Sequence, residues 1–113
     1  MAASPISIGL IPPNVAHLVY VLLDGPNYTT WLSQIRPVLQ TNDFMGIVDG
    51  FELCPPEMIS DDKGITTLNP AFVLWIKKDQ FILSLLNSTL TEKVLASLYG
   101  METSCQVWTH LSI

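Results

Sequence analysis

Asn69-Pro70-Ala71-Phe72-Val73-Leu74-Trp75-Ile76-Lys77-Lys78-Asp79-Gln80-Phe81-Ile82-Leu83-Ser84-Leu85-Leu86 decides the fold, because its start, its interior and its period all agree on one helix. The Asn69 side chain is suited to accept from an unpaired first-turn amide. Pro70 falls at the first helical position, where a missing N–H costs nothing. At 3.6 residues per turn, Phe72, Trp75, Ile76, Ile82, Leu83 and Leu86 share one face. Leu74, Phe81 and Leu85 form a second stripe nearly opposite, flanked by Lys77 and Lys78, and a helix apolar on two sides needs two packing partners. The second stripe is therefore the candidate interaction surface. Asp79 interrupts the first stripe one turn after Trp75, and a carboxylate there needs a partner. The candidates are an indole N–H or Arg36, the only arginine in the chain. Acid/base or metal chemistry needs several convergent groups, and no second acid or histidine shares the helix with Asp79.

Working outward, Asn27 opens a second helix in which Tyr28, Trp31, Leu32, Ile35 and Leu39 recur at helical spacing until Asn42-Asp43. Pro37 removes one backbone hydrogen bond, which predicts a kink near Ser33 or a restart at Pro37. Downstream, Thr89-Leu90-Thr91-Glu92 has the form of a capping box ahead of Val94, Leu95 and Leu98, and Gly100 stands where a left-handed cap would fall. Thr103-Ser104-Cys105-Gln106 offers a second box before Val107, Trp108 and Leu111. The expected helices are thus 28–41, 70–87, 90–99 and 104–112, with Tyr28, Trp31, Trp75, Ile82 and Leu86 in one core. Leu18 to Leu23 reads as a short strand ending at the turn Asp24-Gly25-Pro26, with Ile47-Val48 between Gly46 and Gly50 as its nearest partner. Residues 50–68, holding Pro55-Pro56, Ser60-Asp61-Asp62 and Gly64, have loop composition. The fold class is mainly α, with a possible short β element near residues 18–23 and 46–50.

The 113 residues fit a leader over 1–14, rich in proline, and one domain over 15–113. A chain 49% hydrophobic and only 13% charged has either a well-filled core or surfaces meant for other chains. The net charge of −5 and the absence of a basic cluster beyond Lys77-Lys78 remove the electrostatic footprint of a nucleic-acid binder, so weak RNA binding at physiological salt is expected. Cys54 and Cys105 lack ligand spacing to a histidine, which excludes a recognisable zinc motif and leaves reduced thiols as the expectation. His17 and His110 are isolated. No basic n-region opens the chain, and the longest apolar run, Leu18 to Leu23, is far below the roughly 20 residues that span a bilayer, so a cytoplasmic location is expected. There is no Gly-x-Ser-x-Gly, phosphate-binding glycine loop or His-Glu-x-x-His. No enzyme, cofactor, metal or small-molecule substrate is therefore expected.

Leu23-Asp24-Gly25-Pro26-Asn27-Tyr28-Thr29-Thr30-Trp31 resembles the Leu-x-Gly-x-Asn-Tyr-x-x-Trp opening of the Gag polyprotein of plant Copia-type retrotransposons. Gly46 and Gly50 with Pro55-Pro56 look like that family's connector, and Asn69, Pro70, Phe72, Trp75 and Asp79 look like its second signature, leading to Trp108 and Leu111. The resemblance implies a non-enzymatic, helical, capsid-like protein that self-associates or joins other Gag chains. It also implies an amino-terminal fragment, because the family's domain continues past the Trp-x-x-Leu motif and carries its zinc knuckle elsewhere. The alternative is a small helical adaptor that binds a partner helix through Leu74, Phe81 and Leu85.

Overall fold

The structure, a computed structural model, describes residues 15–112. The leader expected over residues 1–14 lies outside them. After a 3₁₀ turn at Val15–Leu18, the elements are α1 (Tyr28–Thr41), α2 (Met45–Val48), β1 (Met58–Ser60), β2 (Thr66–Leu68), α3 (Pro70–Ser88), α4 (Glu92–Ala96) and α5 (Ser104–Leu111). The described chain is mainly α. Helix α5 packs on both α2 and α3, and α1 lies against α2 and the 3₁₀ turn.

The periodicity of α1 places Trp31, Ile35, Val38 and Leu39 inside, at the spacing of one helical face. The helix runs on through Pro37. The core gathers these residues with Leu23, Phe44, Ile47, Val48, Ile82, Leu85, Leu86 and Val107, and Tyr28, Trp75 and Trp108 pack against it partly buried. The five expected core residues thus belong to one cluster. Helix α3 does have two sets of neighbours, with α2 and the 3₁₀ turn as well as α5.

Three local expectations are corrected. Leu18–Leu23 forms no strand with Ile47-Val48. The Gln34 side chain instead accepts from the Tyr20 and Val21 amides and donates to the Val21 carbonyl. Leu23 forms an isolated parallel bridge with Leu90, its amide donating to Thr89 O at 2.9 Å and its carbonyl accepting from Thr91 N at 3.0 Å. Ile47 and Val48 are helical and buried in α2, because burial against α5 and α3 outweighs their β preference.

The loop expected over 50–68 contains the sheet, a hairpin with Met58↔Leu68, Ile59↔Thr67 and Ser60↔Thr66 paired antiparallel. Its turn is organised by Asp61, whose Oδ1 accepts from Lys63 N and Ile65 N, and by Gly64 at φ +82°. The box expected at Thr89 is not formed, and a simple cap lies two residues later. Thr91 caps α4 by accepting from Val94 N, while Thr89 ends α3, so α4 is shorter than the expected 90–99. The box at Thr103 and Gln106 is formed as read.

Asn69 ties two of these elements together. Its Oδ1 accepts from Ala71 N as the cap of α3, its Nδ2 donates to Pro56 O at 2.9 Å, and its amide donates to Glu57 O at 2.8 Å. Asn69→Ala keeps only the main-chain bond. The expected loss is about 0.5–2 kcal/mol, the usual range for a helix cap, read by urea denaturation. Amide exchange should accelerate through 58–68 while α1 stays protected.

Candidate interaction surface

The residues of the two signatures are built into the frame of the fold. Gly25 takes φ +127°, open to glycine and strained for other residues, and lets the chain turn from Leu23 into α1. Asn27 makes no side-chain cap to α1. Its Oδ1 accepts from Asp24 N and its Nδ2 donates to Leu22 O, both at 2.9 Å, which closes the turn behind the helix. The Tyr28 and Trp31 rings meet at a tilt with centroids 5.8 Å apart, and Trp31 meets Trp108 at 6.0 Å. The buried Trp31 indole donates to Thr89 Oγ1 at 3.0 Å, and that hydroxyl in turn donates to Leu86 O at 2.7 Å. Trp75 donates its indole N–H to Glu52 O at 3.1 Å, holding the connector after α2 against α3. Phe72 and Leu111 are partly buried. Each of these contacts joins distant parts of the chain or fixes a turn.

Asp79 finds neither an indole nor Arg36, which is exposed on α1. Its Oδ1 accepts from Ser104 N at 3.1 Å and Ser104 Oγ at 2.6 Å, and Gln80 Nε2 donates to its Oδ2 at 3.2 Å. Ser104 is the first residue of α5, so the carboxylate sits at the positive end of that helix and serves as a cap supplied from α3. Nothing in the sequence within 20 residues of Asp79 marks Ser104 as the partner.

The expected stripe of Leu74, Phe81 and Leu85 is not an open face. Leu85 is only 3% exposed, and Phe81 is partly buried with its ring 5.8 Å from Phe44. Leu74 alone of the three is exposed, at 46%. The reason is that α3 enters the core progressively, so its second half is wrapped on both stripes while its first half is wrapped on one. An adaptor surface made of these three residues is therefore excluded.

Exposed apolar side chains gather elsewhere. Phe51 is 87% exposed, and Leu53, Met58, Ile59, Ile65 and Leu68 are exposed along the connector and both faces of the hairpin. At the start of α3, Leu53, Pro55, Leu74 and Trp75 border a groove of about 230 Å³ that Glu52 and Lys78 also line. A second groove of about 520 Å³ lies along α5, bordered by Met101, Cys105 and His110. Cys105 and His110 thus line one groove. Among the described residues, no three His, Cys, Asp or Glu side chains converge on a point that could hold a metal. No described helix is long and apolar enough to cross a membrane. The sequence signal for the exposed patch was present in Met58-Ile59 and Ile65, where apolar residues flank a turn, but it was obscured by the loop composition around them.

No family model matches the chain, and no solved structure matches it. Among curated proteins it is similar to the retrovirus-related Pol polyproteins from transposons RE2 and RE1 of Arabidopsis thaliana, each 26% identical over 86 residues. The chain resembles retrotransposon polyproteins. The matched stretch covers 76% of this chain and 6% of each polyprotein, so the chain spans a small part of the length of these relatives. The similarity supports a retrotransposon origin for the chain.

Proposed function

We propose that this chain is a Gag-like structural segment of a Copia-type retrotransposon, acting in the cytoplasm by self-association and not by catalysis. The observation that carries the reading is the union of the sequence similarity with the exposed apolar side chains of the connector and hairpin. The similarity supports the retrotransposon source, and the order of the Leu23–Trp31 and Asn69–Asp79 signatures supports Gag over the enzymatic parts of such a polyprotein. Six large apolar side chains exposed on one short stretch, Phe51, Leu53, Met58, Ile59, Ile65 and Leu68, are of the kind that other protein chains cover. The net charge of −5 favours protein over nucleic acid as the partner.

Sedimentation velocity over a series from low to high micromolar chain tests the reading. The expected result is a weight-average mass that rises with concentration while the helical circular dichroism is unchanged. A monomer mass at every concentration would overturn it.

A further inference from the structure

The hairpin carries main-chain groups that no other described residue uses, and we propose that its β2 edge joins two copies of this chain, strand to strand about a twofold axis. This rests on the self-association reading and gives that reading a place and a register. The bonds that flank the ladder fix which groups are free. Asn69 N donates to Glu57 O and Asp61 N donates to Ile65 O, so the odd-numbered residues of the two strands exchange main-chain bonds across the hairpin. The even-numbered residues therefore turn their N–H and C=O groups outward. These are Met58 and Ser60 on one edge and Thr66 and Leu68 on the other, and no side chain or backbone group elsewhere among the described residues bonds to their main chain.

Charge decides between the two edges. A symmetric antiparallel pair through β1, centred on Ile59, sets Glu57 opposite Asp61 of the second copy, and does so twice. Like charges directly opposite one another disfavour pairing. The same operation through β2, centred on Thr67, sets Thr66 opposite Leu68 of the second copy, Ile65 opposite Asn69, and meets no charge at all. Both Thr66–Leu68 pairs then have outward main-chain groups facing one another, so four N–H···O bonds close around a Thr67–Thr67 pair on the axis. Strand β2, only three residues long, carries no proline, lysine or bulge that would keep its edge unpaired.

Side chains agree with this register. Met58 and Leu68 lie on one face of the hairpin, Ile59 on the other with Ile65 at its margin, and all four are exposed. A lone two-stranded hairpin is marginal in water, whereas a four-stranded sheet adds a second ladder and sets Leu68 diagonally across from Leu68 of the second copy, on the face that Met58 shares. The bonds of Asn69 to Pro56 and Glu57 hold the strand in shape before any partner arrives. A symmetric occupant is favoured over a foreign strand because the edge is complementary to itself.

The experiment is sedimentation velocity on the full chain and on Thr67→Lys, Thr67→Glu and Thr67→Val, with circular dichroism of each. Thr67→Lys and Thr67→Glu should each weaken dimerisation by about tenfold or more, and Thr67→Val should leave it unchanged. An equimolar mixture of the Lys and Glu variants should restore the dimer, since opposite charges then meet on the axis. Independently, Thr67→Cys should form an intermolecular disulfide under mild oxidation. Residues paired in this way have Cα atoms about 4.5 Å apart, within bridging range, and peptide mapping should join position 67 to itself. If the unmodified chain associates and the Lys and Glu variants associate equally well with no link through position 67, the edge is wrong and self-association stands. If the unmodified chain remains a monomer throughout, both readings fall. Should the charged variants lose helicity, the cysteine link decides.

Discussion

Replacing Trp31 with alanine is expected to unfold the chain or bring it close to unfolding. The side chain is fully buried, packs on Tyr28 and Trp108, and donates its indole N–H to Thr89. Truncating a buried tryptophan costs about 3–5 kcal/mol, against a total stability of roughly 5–15 kcal/mol for a domain of this size. Trp31→Phe isolates the polar part of this loss. It retains an aromatic ring and removes the donor, while Thr89 Oγ1 keeps its own bond to Leu86 O. The phenylalanine variant should therefore lose much less than the alanine variant. Urea denaturation followed by both helical ellipticity and tryptophan fluorescence measures the two. A loss below about 1 kcal/mol for Trp31→Ala would show that the core does not close on this residue.

The second large effect is expected at Asp79. Asp79→Ala removes an acceptor that holds both the amide and the hydroxyl of Ser104, which is itself fully buried. The amide is left in the core without a partner. Hydrogen bonds to a charged group are worth about 1.5–3 kcal/mol and an orphaned buried donor costs about 1–3 kcal/mol, so a net loss near 2–4 kcal/mol is expected. Asp79→Asn should retain part of the interaction, because its amide oxygen can still accept while the full charge at the end of α5 is gone. Combining Asp79→Ala with Ser104→Ala should give less than the sum of the single losses, since both act on one set of bonds. Additive losses would mean that the pair is not a unit. A catalytic carboxylate would give another pattern, with little stability lost.

Helices α1 and α3 were legible from sequence because their signals are local. Asn69 and Pro70 announce the start of α3, and Trp31, Ile35 and Leu39 repeat at one helical face in α1. What the sequence concealed was set by distant groups. Asp79 and Ser104 are 25 residues apart, and the bonds that satisfy Leu23 come from Thr89 and Thr91. Ile47 and Val48 read as β because their side chains are β-branched, but four residues carry too little periodicity to oppose tertiary burial. Asn27 illustrates the mixed case. Its position before α1 was correct, yet its side chain reaches back to Leu22 and Asp24. The candidate surface was the least legible part. Leu74, Phe81 and Leu85 were separated from the core by angle alone, whereas the depth at which α3 enters the fold depends on α2 and α5.

The bond from Trp31 to Thr89 also sets a clock. Its two residues are 58 positions apart, and a ribosome adds about 5–20 residues per second, so roughly 3–12 s separate the synthesis of the donor from that of its acceptor. Throughout that interval Trp31 lacks both Thr89 and Trp108, although the 3₁₀ turn and α2 are already available to lie against α1. The nascent protein therefore offers cellular chaperones a partly covered apolar face that the finished fold closes. Its yield in a cell will depend on how quickly the stretch from Thr89 to Trp108 follows.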